Sequence, residues 1–134
     1  MKKTLLLLTT IAAVFSACHK QTFDEQVLAD VEKFNTQEAP KRIDDYTTFD
    51  SMVYDTKNLT LSYFYTIEGD IDPSIFPTDA LREELFDNVR NSIHFKPYKE
   101  HGLNFHYIYF LQKTRKPVFD CIFTPEDYNP RSTH

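Results

Sequence analysis

Glycine is almost missing from this chain: Gly69 and Gly102 are the only two in 134 residues. Loops that cradle phosphate need glycine where the backbone meets the ligand, and a G-x-S-x-G nucleophile turn needs two flanking a serine. Neither pattern can be written with the glycines present. Tryptophan is absent, so the aromatic content rests on 12 Phe and 8 Tyr. Cysteine occurs twice, at Cys18 and Cys121, and that count excludes a disulfide framework. No apolar run is long: the longest, Leu5 to Phe15, falls short of the roughly 20 residues a bilayer-spanning helix needs. Basic residues are outnumbered, 15 Lys and Arg against 20 Asp and Glu. Nucleic acid calls for a basic face, so it is a poor partner for this chain.

The first residues read as a secretory leader. Lys2 and Lys3 form a positive start, Leu5 to Phe15 is apolar apart from Thr9 and Thr10, and Ser16-Ala17 are small. Phe15-Ser16-Ala17-Cys18 resembles the lipobox of bacterial lipoproteins, with Phe15 where Leu is usual. The resemblance implies cleavage before Cys18, diacylglycerol on its sulfur, and a membrane attachment that two or more chains make stable. It also implies sorting: His19 stands where Asp would mark inner-membrane retention, and no acidic run follows. The expected address is therefore the outer membrane, facing the periplasm. The organisation expected is a signal peptide over 1–17, a lipidated tether over 18–22, one domain over 23–126 and a flexible tail over 127–134. Losing Lys2 and Lys3 with the leader leaves 13 basic against 20 acidic residues, a net charge of −7.

Hydrophobic spacing sets the elements. Thr22-Phe23-Asp24-Glu25 fits a capping box, and Phe23, Val27, Val31 and Phe34 follow as one helical stripe. A strand over 42–54 places Phe49, Ser51 and Val53 on one side and Asp50, Met52 and Tyr54 on the other. Leu59, Leu61, Tyr63, Tyr65 and Ile67 alternate with Thr60, Ser62, Phe64, Thr66 and Glu68, the period of a sheet with one buried face. A second helix spans about 78–94, with Leu81, Leu85, Val89 and Ile93 every fourth residue. A last hairpin joins 103–111 to 118–124, with Cys121 pointing inward as a small buried hydrophobe. An unpaired cysteine in an exported protein has two other uses, pairing between chains or reactivity. The expected fold class is α+β: an antiparallel four-stranded sheet with two helices on one face, in the order α-β-β-α-β-β.

Several constellations fall short of chemistry. His94, His101 and His106 are seven and five apart, unlike a helical metal-binding pair, and no metal or other cofactor is expected. Asp70, Asp72, Asp79, Glu83 and Glu84 lack the central glycine of a calcium loop and suit a solvated helix start. Lys113, Arg115 and Lys116 sit at an expected hairpin tip, where solvated turn charge explains them. Large side chains on both faces of two strands stand out instead. One face can be core; the other would meet a partner, since contiguous apolar patches mark interaction sites. The apolar excess on that exposed face is expected at Phe64, Ile108, Phe110 and Ile122. The candidate partner-binding residues are Tyr63, Phe64, Tyr65, His106, Ile108 and Phe110, with Cys18 as the lipidation site.

Pro40, Ile43-Asp44, Thr47, Phe49-Asp50-Ser51 and Leu59-x-Leu61-x-Tyr63-x-Tyr65 precede a helix and a strand introduced by Gly102 and carrying Tyr107-Ile108-Tyr109. In these motifs the chain resembles a group of small exported bacterial proteins of unknown function, over about residues 40–111. Some members carry a cysteine late in the second helix, where Asn91 to His94 have none. The resemblance implies fold and export and no catalytic residue. The expected function is a lipid-anchored, non-enzymatic binding or assembly module whose partner is an envelope protein or polymer. The alternatives are a small periplasmic hydrolase, for which a deep pocket with a histidine beside Cys121, Ser62 or an acid pair would speak, and an inhibitor of a foreign enzyme acting through residues 69–77.

Overall fold

The computed structural model describes residues 20–129. The leader, Cys18 and residues 130–134 lie outside the described residues. Thr22 opens the first helix as expected. Its hydroxyl accepts from the Glu25 amide at 3.2 Å while the Glu25 carboxylate accepts from the Thr22 amide at 3.1 Å. This reciprocal cap starts α1 (Phe23–Lys33), which buries Val27 and Val31 and continues into a π-helical turn over Phe34–Glu38.

Among the described residues, five strands follow in a single sheet ordered β1-β2-β3-β4-β5: β1 (Lys41–Arg42), β2 (Thr47–Asp55), β3 (Thr60–Ile67), β4 (Asn104–Leu111) and β5 (Pro117–Phe123). The expected strand over 42–54 is two strands. Asp44 accepts from the Tyr46 and Thr47 amides at 2.9 and 2.7 Å and turns the chain, so that β1 pairs antiparallel with β2. Those same amides hold the Asp44 carboxyl below its ordinary pKa. Within β2 the register slips between Phe49 and Ser51. Asp50 is the extra residue of a β-bulge, which inverts the alternation around it. Phe49 therefore joins Met52 and Tyr54 on the covered side, while Ser51 and Val53 face the other way. This corrects the expected grouping of Phe49 with Ser51 and Val53.

The sheet is mixed, not antiparallel throughout. β3 and β4 run parallel, from Thr60 opposite Asn104 to Ile67 opposite Leu111. A hairpin cannot join parallel strands; the chain must cross over one face of the sheet, which usually takes a helix. Residues 68–103 make that crossover with α2 (Thr78–Asn91), a 3-10 turn over Ile93–Phe95 and α3 (Lys96–Glu100). Ser92 ends α2 and caps the next turn by accepting from the His94 amide, so Ile93, expected on the buried stripe, is 77% exposed. Pro97 sits in the first turn of α3, where its missing N–H costs nothing.

The described helices all lie against one face. Leu61, Tyr63, Tyr65, Ile67, Phe105, Tyr107, Tyr109, Leu111, Phe119, Cys121 and Phe123 form that face and pack with Val27, Val31, Leu85, Val89 and Leu103 in one core. Its centre is a stack across the parallel pair, Tyr63 on Tyr107 at 4.8 Å and Tyr65 on Tyr109 at 4.4 Å between ring centroids. Such pairs add about 0.5–1.5 kcal/mol each beyond the area they bury. The chain end is part of the core as well. α4 (Pro125–Tyr128) carries its own capping box, and the Tyr128 hydroxyl donates to the Leu103 carbonyl at 2.9 Å, with its ring 5.8 Å from Phe105. Tyr128 thus belongs to the domain and not to a flexible tail beginning at 127. Among the described residues no helix is long and apolar enough to cross a membrane.

Candidate functional site

Period-two alternation sends every second residue of β2 to β5 away from the helices. Three rows result. Val53, Ser62, His106 and Ile122 form the first, Ser51, Phe64, Ile108 and Asp120 the second, and Thr66 and Phe110 lie in the third beside the bulged Asp50. No described element covers this face. Val53 is 52% and Ile122 44% exposed, Phe64 and Phe110 are half-buried, and their rings lie 6.4 Å apart at 17°. The apolar excess expected on an uncovered face is present at Phe64, Phe110 and Ile122.

The structure divides the expected partner-binding residues. Phe64, His106, Ile108 and Phe110 share the open face. Tyr63 and Tyr65, 7% and 8% exposed, point beneath the helices and are core residues. They are adjacent to Phe64 in sequence and opposite to it in space, so neither can meet a partner on that face. Ile108 is on the open face but is itself buried, flanked in its row by Phe64 and Asp120.

Phe64, Phe110, Thr66, Ser51, Asp50 and Arg115 line a shallow depression of about 500 Å³ at one end of the face. Asp50 accepts from the Thr66 hydroxyl at 2.5 Å. Arg115 reaches the depression from the β4–β5 turn, where its backbone φ is +58°. The basic tip expected from sequence is therefore split: Lys113 pairs with Asp70, while Arg115 has no ion pair among the described residues and lines the depression. Sequence spacing carries no signal for this, because the turn residue reaches β2 only through the sheet.

Polar groups join across three strands, from Ser62 and His106 in the first row to Asp120 in the second. The His106 Nε2–H donates to Asp120 Oδ1 at 2.7 Å, which leaves Nδ1 to accept from the Ser62 hydroxyl at 3.4 Å. Ser62, His106 and Asp120 are 14 to 58 residues apart in sequence, so only the register brings them together. The other two histidines are elsewhere. His101 stacks on Phe23 at 3.5 Å and donates to the Pro97 carbonyl, and His94 lies in the turn after α2. Among the described residues no group of three or more His, Cys, Asp or Glu is placed to hold a metal.

Cys121 points inward and is buried. Burial pushes its thiol pKa up, with Arg82 opposing. The Arg82 guanidinium donates to its sulfur at 3.1 Å and lies 5.5 Å from the centre of the Phe123 ring. A thiol held protonated under a helix is a poor nucleophile.

The fold has counterparts of known structure. A protein from Pseudomonas aeruginosa provisionally described as secreted superposes with a TM-score of 0.61 at 19% identity, over 73% of this chain and 86% of that one. The pilotin EpsS of the Vibrio vulnificus type 2 secretion system superposes with a TM-score of 0.62 at 10% identity, over 77% and 88%. At these identities the likeness is one of fold. No curated protein matches the sequence. One family profile does, over residues 22–119, from the cap of α1 into β5. The chain belongs to that family, described as a domain of unknown function (DUF8479).

Proposed function

We propose that this chain is a lipoprotein anchored through Cys18 in the outer membrane, facing the periplasm, and that it binds an envelope protein through the open face of its sheet. The observation that carries the reading is the uncovered apolar surface around Phe64 and Phe110, backed by a sheet whose other face already holds a complete core. A protein with one satisfied core gains nothing in stability from a second greasy face, and such patches mark contacts. The leader and lipobox read from the sequence support the address. The fold likeness to a secretion-system pilotin and to a protein described as secreted is in keeping with an envelope role.

The test is a paired substitution. Phe64→Ser with Phe110→Ser removes the aromatic surface and leaves the helix-covered core untouched. Recovery of a crosslinked envelope partner should fall at least tenfold while the melting temperature stays within a few degrees. A large loss of stability would instead make both residues part of the core and end this reading.

One observation favours a second reading, a small hydrolase. Ser62, His106 and Asp120 have the order of a nucleophile, a base and the carboxylate that orients it. Their setting is a shallow surface, and the N–H groups of β3 and β4 are committed to interior strand ladders, leaving no backbone donor for a developing oxyanion. Binding is therefore the leading reading. A fluorophosphonate adduct on Ser62 that disappears in His106→Asn would reverse that order.

A further inference from the structure

A second recess lies on the helix side, away from the open face. Asp44, Tyr46, Thr47, Ile67, Phe76, Leu81, Glu84 and Tyr109 are among the residues lining a cleft of about 300 Å³ between the β1–β2 turn and the start of α2. The residues that flank it are unusually apolar for a surface. The lining residue Tyr46 is 64% exposed, and Ile43 and Ile75, next in sequence to the lining residues Asp44 and Phe76, are 54% and 77% exposed. A cleft of this size is at the small end of ligand pockets and holds one or two side chains, not a folded element.

Its charge is one-sided. The Glu84 carboxylate has neither an ion pair nor a hydrogen bond among the described residues. Asp44 uses one oxygen on two backbone amides and also feels the charge of Arg42, which is itself paired with Glu68 at 3.3 Å, so Glu84 is the carboxylate left uncompensated. The lining residue Tyr109 is only 7% exposed, and its hydroxyl has no hydrogen-bond partner among the described residues. Glu84 and Asp44 both act electrostatically on that hydroxyl, which places it under their negative potential. An apolar recess with two carboxylates and an unused phenol is complementary to a cation on an apolar stem.

The position fits an anchored protein. α1 runs from Asp24, held to Tyr54 at 2.6 Å, to Asn35, bonded to Met52, so residues 20–22 sit at the pole holding the β2–β3 turn. The cleft lies at the other pole, beside Thr47, Ile67 and the start of α2.

We propose that this cleft takes an arginine or lysine side chain flanked by apolar residues, presented by a segment of a partner protein. The site is separate from the open face and does not depend on it. Acetyl-Leu-Arg-Leu-amide is the probe, with the same peptide carrying neutral citrulline in place of arginine as its control. Titrated into the 15N-labelled full-length protein, the arginine peptide should shift the amides of Tyr46, Ala80, Leu81 and Tyr109 in a saturable way. The citrulline peptide should bind at least fivefold more weakly, and Glu84→Gln should weaken the arginine peptide by a similar factor. Equal binding of the two peptides, or no shift at these amides, would overturn the assignment. Shifts confined to Phe64, Thr66 and Phe110 would also overturn it, while leaving the open face as a binding surface.

Discussion

On the covered face of the sheet, Tyr63, Tyr65, Tyr107 and Tyr109 stack in pairs beneath α1 and α2, and Leu61, Phe105 and Phe123 are closed off from solvent. On the open face the same strands present Ser62, Phe64, Thr66, His106 and Phe110, with polar groups joined across strands and two rings half in water. Both faces carry large apolar side chains. The difference is that helices return over one of them and, among the described residues, nothing returns over the other. Hydrophobicity along a strand therefore says that a side chain wants cover, and the crossover path decides which face gets it from the chain itself. The face left over is where a partner can supply it.

The contrast can be broken most forcefully by truncation. Phe105→Ala should lose about 3–5 kcal/mol in urea denaturation, as for other fully enclosed rings, because the site cannot collapse around the space left. Phe110→Ser should lose about 1 kcal/mol or less. Equal losses would erase the distinction between the faces.

Alkaline titration gives a smaller effect of the same origin. Burial raises the phenol of Tyr65 to about 12 and pushes Tyr63, Tyr107 and Tyr109 up as well. A folded pKa above the unfolded value, near 10, means a stabilising contribution that is whole below pH 10 and drains away as pH rises from 10 towards 12. For Tyr65 alone the loss is about 2 kcal/mol. Tyrosinate absorbance should rise in two stages, the covered-face share appearing only from about pH 12 upward or with unfolding. A single stage near pH 10 in folded protein would show that the stack is open to solvent.

The smallest effect has the opposite sign. Tyr107 is buried, and its hydroxyl has no hydrogen-bond partner among the described residues. Leaving a buried donor unsatisfied costs roughly 1–3 kcal/mol, so Tyr107→Phe should stabilise the fold by roughly 1 kcal/mol in the same denaturation assay. A destabilised variant would mean that the hydroxyl has a partner after all.

α1, β3 and the inward turn of Cys121 are legible in the sequence, because a capping box and strict periods of 3.6 and 2 are local signals. What escapes local reading depends on partners far along the chain. The bulge at Asp50 inverts a face without disturbing composition, so Phe49 reads as a companion of Val53 when it packs with Tyr65. A helix between two strands implies a parallel crossover, and reading the chain as two hairpins conceals it. Tyr63 and Tyr65 read as surface candidates because large residues occupy both parities, and only the packed helices show which parity is covered. The Ser62–His106–Asp120 contacts and the approach of Arg115 to Phe64 exist only through register, which no window of sequence contains.

The open face as a binding surface is tested most directly by photo-crosslinking in cells. Benzoylphenylalanine is placed singly at Phe64 or Phe110, and at the exposed Leu28 and Ile93 on the helix side. Adducts of one defined mass at the first two positions, with none at the others, are predicted. No adduct at Phe64 and Phe110, or the same adducts at all four positions, would contradict the account.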